Sequence, residues 1–477
     1  MRLKLSTFLL FVLITSSITA TAQVSTHEIE GNWLATLDVG AAKLRLALKI
    51  KKSGDAYTAK LDSLDQGAMD LPIDSIALDG NKLTFSAAKF GVNYEGTLNA
   101  AGDQITGAFK QGPNATPLVF KRIGELPKFN RPQEPKKPYP YDEEEVSYRN
   151  QKDNIKISGT LTLPRTGGPY PVVLLITGSG SQDRNETVAG HHPFLVLADH
   201  LTRNGIAVLR VDDRGIGGTD IGSLSATSEN FAEDVLAGVN FLKQRKDIDP
   251  KMIGLIGHSE GGMIAPMVAA RSNDVSFIVL LAGPGQLGED IIYSQTELIH
   301  KAQGTHVDTI RHTLALIKSI NSIVKTETDE KRIEQKINEE IAAYERTLPD
   351  LQKQLFQPAA GNVKALMPLY KTAWYHYFIT FDPQPVLKNV KVPVLALNGE
   401  LDLQVPAKEN LSLIGAGLKA GGNADVTLTA FPKLNHLFQT CQTGLPSEYG
   451  QIDETISPDV LKTISDWILK RTAQKPR

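Results

Sequence analysis

Apolar and polar residues alternate with period two through residues 42–50, the pattern of a strand with one buried face. Similar short runs recur at 57–64, 82–87, 92–98, 105–109 and 117–121. Between them Ser53-Gly54-Asp55, Asp79-Gly80-Asn81 and Ala101-Gly102-Asp103 supply the residue types that tight hairpin turns require. About eight strands over residues 23–123 predict a small antiparallel all-β domain, barrel- or sandwich-like. It carries no cluster of nucleophile, base or metal ligand and is read as an accessory module.

The pattern then breaks. Pro127, Pro132, Pro135, Pro138 and Pro140, mixed with Lys and Glu, mark 124–141 as an extended, semi-rigid linker. From 142 to 475 short β-branched apolar runs (172–176, 206–211, 252–256, 276–281, 392–397, 426–431) alternate with helical periods (194–203, 230–245, 262–271, 460–471). Continuous apolar strands are buried on both faces, and helices between them imply a doubly wound, mostly parallel sheet. One interval is far longer than a crossover needs. Within it Val307, Ile310, Leu314, Ile317 and Val324, then Ile333, Ile337, Ile341, Tyr344, Leu348 and Leu351, recur at helical spacing. A helical cap at about 286–388 is expected over the carboxyl edge of the sheet, as a lid.

The first 22 residues are set apart. Arg2 and Lys4 precede the apolar run 8–14, and small residues lead to Ala20-Thr21-Ala22. This is signal-peptide patterning, with cleavage expected after Ala22 and export to the periplasm or medium. The apolar run is too short to span a bilayer, and no later segment is long and apolar enough to do so.

Composition narrows the function. With 51 Lys+Arg against 53 Asp+Glu the 477-residue chain has a formal charge of −2. That balance gives no concentrated positive field for nucleic acid. Hydrophobic residues at 41% and charged residues at 22% describe a globular chain. The lone cysteine, Cys441, excludes an intramolecular disulfide and a multi-cysteine metal cluster, and is read as a packing thiol.

Gly257-His258-Ser259-Glu260-Gly261 follows a predicted strand and precedes a predicted helix, the setting of a nucleophile elbow. A serine hydroxyl needs a histidine base oriented by a carboxylate. In the chain order expected for such a sheet, Asp402 is the acid, in the turn after strand 392–397, with Glu400 its competitor. His436, in the loop after strand 426–431, is the base. An oxyanion requires two backbone donors. The amide of Glu260 is one, and the Gly/Ser loop 177–184 supplies the other, with Ser179 first choice.

Residues 142–475 resemble the α/β-hydrolase superfamily, in particular secreted bacterial esterases and serine-aminopeptidase-like (S33-type) hydrolases. The marks are the loop 178–184, Asp212-Asp213-Arg214-Gly215-Ile216-Gly217-Gly218, the elbow, the segment 399–402 and Asn435-His436. Many relatives carry His-Gly where this chain has Thr177-Gly178, which leaves the oxyanion donor open by one residue. The resemblance implies an α/β-hydrolase that needs neither metal nor cofactor.

Other residues receive smaller roles. Asp183, Arg184, Asp213 and Arg214 are expected to pair and brace two loops beside the site, with substrate contact the alternative. His191-His192 reads as a helix start, not a metal site. Trp374, Tyr375 and Tyr377, in the aromatic end of the cap, are candidates for core packing or for an acyl pocket. The expected activity is hydrolysis of a small-molecule carboxylic ester through an acyl-enzyme. A peptidase using the same triad and a catalytically silent binding protein are the alternatives. Oligomeric state is not legible.

Overall fold

The computed structural model describes residues 28–38, 43–54, 56–64, 68–111, 114–127 and 129–473. The signal-peptide segment with Ala22, and the strand and turn residues Ala42 and Asp55, lie outside the described residues. The chain divides into two compact units. Among the described residues, one holds 28–35 with 48–60 and 72–125; the other holds 36–47, 61–71 and 126–473.

The N-terminal strands are β1 (Gly31–Asp38), β2 (Lys43–Ser53), β3 (Ala56–Ser63), β4 (Ala68–Pro72), β5 (Ser75–Asp79), β6 (Lys82–Ala87), β7 (Val92–Leu98), β8 (Gln104–Gln111) and β9 (Asn114–Ile123). They form one sheet in the order β4-β3-β2-β1-β9-β8-β7-β6-β5. Its edge strands β4 and β5 are separated in sequence by Ile73 and Asp74 alone, so the sheet curls. In β7 the burial alternates strictly, with Val92, Tyr94 and Leu98 inward, as the period-two reading requires. β1, β4 and β5 add to the strands read from sequence. Tyr94 and Phe120 meet edge-on at 5.3 Å in this core.

The second unit is built on β10 (Asp142–Asn150), β11 (Ile155–Leu163), β12 (Tyr170–Ile176), β13 (Ala207–Val211), β14 (Ile248–His258), β15 (Phe277–Leu281), β16 (Val394–Gly399) and β17 (Val426–Phe431). The order is β10-β11-β13-β12-β14-β15-β16-β17. From β13 to β17 every pairing is parallel, while β10 and β11 add an antiparallel edge. That hairpin was not legible as strands.

Helices α1 (Pro193–Arg203), α2 (Ser228–Lys243), α3 (Gly261–Ala269), α11 (Ala407–Ala420) and α12 (Pro458–Ala473) cover the two faces. Side chains of β12 alternate between them. Val172 and Leu174 join Val235, Val239, Ile264 and Ile414 on one side. Val173 and Leu175 join Phe194, Leu197, Val460 and Ile464 on the other. Burial on both faces is why these strands read as unbroken apolar runs. Each leucine so buried contributes about 2 kcal/mol.

Seven helices fill the interval between β15 and β16: α4 (Gly288–Ala302), α5 (Val307–Thr326), α6 (Glu330–Arg346), α7 (Asp350–Ala365), α8 (Met367–Tyr370), α9 (Ala373–Thr380) and α10 (Pro383–Leu387). This is the helical cap. In α6, Ile333, Ile337 and Ile341 form the buried stripe at spacing four. Asp329 caps it, accepting from the Arg332 amide at 2.9 Å. Among the described residues no helix is long and apolar enough to cross a membrane.

Candidate active site

β14 ends at His258 and α3 begins at Gly261, so Ser259 occupies a two-residue turn. Its φ is +52°, a left-handed conformation that costs a non-glycine residue about 1–3 kcal/mol. The flanking glycines make the turn possible. A Cβ at Gly257 would lie 1.9 Å from the Gly261 carbonyl oxygen, and one at Gly261 would lie 2.2 Å from that of Ile176. The Ser259 amide donates to the Leu281 carbonyl at 2.8 Å, tying the turn to the end of β15.

Asp402 follows β16 and His436 follows β17. His436 Nδ1 lies 2.8 Å from Asp402 Oδ2. The second carboxylate oxygen accepts from the amides of Gln404 and Val405 at 2.8 and 2.9 Å, so the buried acid is fixed from both sides. Asn435 shapes the loop that carries the histidine, its Oδ1 accepting from the amides of Leu437 and Gln439. Glu400 is exposed. Ser259 and His436 line one cavity of 740 Å³, together with Gly178, Ser179 and Glu260.

The loop after β12 approaches the elbow closely: a Cβ on Gly178 would lie 3.2 Å from the Ser259 Cβ. The Gly178 amide is already taken, donating to Glu186 Oε1 at 2.8 Å. The amides of Ser179 and Glu260 carry no hydrogen bond among the described residues. Both residues line the cavity that holds Ser259 and His436.

Two residues that sequence reasoning missed stand behind the serine. Buried His258 has Nδ1 2.9 Å from Glu186 Oε1 and Nε2 3.0 Å from the His436 carbonyl oxygen. Both ring nitrogens therefore face acceptors, which an imidazolium satisfies with two donors. Burial works to lower the His258 pKa, but the charge and hydrogen bond of Glu186 outweigh it and leave it raised. The histidine in the elbow motif was the available signal. Glu186, in a polar loop, offered none.

The Glu260 carboxylate is buried and shared. Ser228 Oγ donates to its Oε1 at 2.6 Å and Trp374 Nε1 donates to the same oxygen at 2.8 Å. Burial raises its pKa against these hydrogen bonds. Trp374 thereby joins the cap to the elbow, and it lines the cavity with Phe378, Ile291 and Ile292. Tyr375 and Tyr377 do not line it, which corrects the acyl-pocket reading for both. The Tyr375 hydroxyl donates to Asn321 inside the cap, and the Tyr377 hydroxyl turns toward Glu229.

The charged loop residues are engaged, though not in the expected pairs. Arg184 meets Asp212, Glu145 and Thr160, not Asp213. Asp183 accepts from Asn185 and Thr187 in its own loop, where the local turn brings amides closer than any cation. Asp213 accepts from the Thr177 hydroxyl and the Gln182 amide, joining the two loops, and burial lifts its carboxyl to about 7. Arg214 lies between Asp153 and Asp234. None of these four lines the cavity that holds Ser259 and His436.

His192 starts α1 and meets Glu134, while His191 is buried against Thr455 and the Tyr449 carbonyl, where burial lowers its pKa to about 4. Burial raises the Cys441 thiol to about 11. Among the described residues no group of three His, Cys, Asp or Glu is arranged to hold a metal ion.

A mostly parallel sheet with a serine on a strand–turn–helix elbow, and an acid and a histidine after later strands, defines an α/β-hydrolase. The chain belongs to the X-Pro dipeptidyl-peptidase (S15) family, whose profile matches residues 153–416. The matched stretch includes Ser259 and Asp402 and stops short of His436. Esterase EstD of Thermotoga maritima is 26% identical over 319 residues, 66% of each chain. Thiohydrolase aneE of Aspergillus aculeatus is 32% identical over 143 residues, 29% of this chain and 42% of its own. The alignments thus leave about a third or more of these relatives unmatched. Among solved structures, the Pyrococcus furiosus esterase Pf2001 aligns with TM-score 0.42 at 16% identity, covering 73% of this chain and 99% of its own.

Proposed function

We propose that this α/β-hydrolase cleaves small carboxylic esters through an acyl-enzyme on Ser259. The observation that carries the reading is the His436–Asp402 hydrogen bond, with His436 lining the same cavity as a serine on a left-handed turn. Asp402 fixes Nδ1 as the protonated nitrogen, which leaves Nε2 as the base. Ser259 Oγ attacks the ester carbonyl carbon as Nε2 takes its proton. The oxyanion is met by the Ser179 and Glu260 amides. His436 then returns the proton to the departing alcohol. Water attacks the acyl-enzyme by the same route in reverse, releasing the acid and freeing Ser259.

The cavity favours an ester over a peptide with a free amino terminus. Capture of an amine needs an available carboxylate, and the two acids lining this cavity are both engaged. Glu186 holds His258, and Glu260 holds Ser228 and Trp374. The names of the matched relatives, esterase and thiohydrolase, support acyl transfer as the chemistry. The cap acts as a lid that covers Ser259 and restricts the size of the acyl group, since α4 and α9 supply cavity walls.

The test is parallel kinetics on short-chain p-nitrophenyl esters and on aminoacyl p-nitroanilides, with Ser259→Ala as control. Ester turnover that vanishes in the variant supports the reading. Preferential cleavage of the anilides would replace it with the peptidase, and equal turnover by the variant would remove the serine mechanism. Export is proposed on the N-terminal pattern alone; N-terminal sequencing of the mature protein, starting at Gln23, tests it.

A further inference from the structure

Four residues, Gly178, Ser179, Glu260 and Trp374, line two cavities at once. One is the 740 Å³ cavity of Ser259 and His436; the other is a neighbouring chamber of 560 Å³. The partition between them is drawn from three parts of the fold. Trp374 from α9 donates to Glu260 beside the elbow at 2.8 Å, and Gly178 and Ser179 complete the wall from the loop after β12.

The chamber is walled chiefly by Ile157, Val211, Phe231, Val235, Ile264 and Leu369. Arg214 lies between Asp153 and Asp234, and Asp212 faces Arg184, so these charges are compensated within the protein. Asp213 and Glu260 accept only from uncharged donors, and burial raises both carboxyls toward their neutral form. An anion would face four carboxyl groups against the one guanidinium of Arg214, and a cation would find no fully charged partner, whereas a hydrocarbon gains by burial. The volume is that of a small-molecule site, typically about 300–1,000 Å³. The occupant is therefore neutral and apolar.

The position of His436 decides which end of an ester this is. His436 lines the catalytic cavity and not the chamber. The departing alcohol takes its proton from His436, so it leaves through the catalytic cavity. The acyl chain begins at the carbonyl carbon, whose oxygen faces the Ser179 and Glu260 amides, in the shared wall. We propose that the chamber is a second subsite of the active centre that takes the far end of a long alkyl or aryl acyl chain, with the Trp374–Glu260 contact as its gate. The assignment to an acyl chain rests on the ester-hydrolase reading; the chamber's preference for a neutral apolar ligand does not.

The experiment fills the chamber from its far side. Leu369→Trp on α8 and, independently, Val235→Phe on α2 place bulk there without touching the partition or the triad. Hydrolysis of p-nitrophenyl acetate, butanoate, octanoate and decanoate is compared with wild type. Both variants should keep acetate kcat/KM within about twofold and lose about tenfold or more on decanoate. Binding of the neutral fluorophore N-phenyl-1-naphthylamine is titrated alongside, and its affinity should fall about fivefold or more in both variants. A folded variant with unchanged decanoate turnover and unchanged dye affinity overturns the chamber while leaving the ester reading intact. A wild type that hydrolyses no ester, yet binds the dye in a Leu369-dependent way, overturns the ester reading and keeps the apolar site. Equal loss on acetate and decanoate, with the dye unaffected, also overturns the proposal.

Discussion

Glu186 Oε1 lies 2.9 Å from His258 Nδ1, joining residues 72 positions apart in a buried carboxylate–imidazole pair directly behind Ser259. The same oxygen accepts the Gly178 amide, and the far ring nitrogen reaches the His436 carbonyl. One pair thus braces the loop beside the proposed nucleophile and the loop of the proposed base. His258 and His436 also pack ring to ring at 4.8 Å.

Glu186→Gln removes the charge that holds the second proton on His258. The neutral ring then has a single donor for two acceptors, and the His436 loop loosens. We expect kcat to fall about 10- to 100-fold with KM within about twofold, since the loss is one of orientation in the transition state. Steady-state kinetics on p-nitrophenyl acetate check this. The pair also carries a stability signature. Folded His258 keeps a proton that the unfolded chain releases near 6.5, so stability present below that pH falls as pH rises toward the raised folded value. Thermal melts across that range should show a decline in wild type that is flattened in Glu186→Gln.

Glu260→Met tests the junction of cap and elbow. Ser228 and Trp374 donate to the same carboxylate oxygen, and a methionine of similar length leaves both without that acceptor. The expected loss is about 1–3 kcal/mol in urea unfolding, with faster proteolysis of the cap than of the sheet. Unchanged stability would mean that Trp374 and Ser228 find other acceptors.

Asp213 gives a second pH signature of the same sign from a different group. Its folded carboxyl titrates at about 7, above the usual carboxylate range. Between about 4 and that value the folded state binds more protons than the unfolded state, so this group lowers stability as pH rises. Asp213→Asn should flatten the pH dependence of the melting temperature between pH 4 and 7, with little change at the acid end, where the wild-type group is already neutral. An identical pH slope in the variant would remove Asp213 as its source.

What could be read from the sequence followed local rules. The place of Ser259 was legible because an elbow needs glycine on both sides of a strand-to-helix turn, and the places of Asp402 and His436 because each lies in a loop beyond a strand of the parallel sheet. What could not be read depended on contacts across the fold. β10 carries Asp142-Glu143-Glu144-Glu145 on an exposed edge, so it lacks the apolar run that reveals a central strand. Glu186 looks like a solvated loop acid until His258 is brought beside it. The aromatic stretch of α9 was readable only in part. Trp374 and Phe378, four apart, share the cavity face, while the helical phase turns Tyr375 into the cap and Tyr377 toward Glu229.

The measurement that bears most directly on the central claim is peptide mapping after labelling with a small fluorophosphonate, which bonds only to an activated serine. The account predicts one adduct, on Ser259, formed in step with loss of ester hydrolysis. It also predicts slower labelling in Asp402→Asn and His436→Ala and none in Ser259→Ala. Labelling of a different serine, or loss of hydrolysis with Ser259 unmodified, would contradict it.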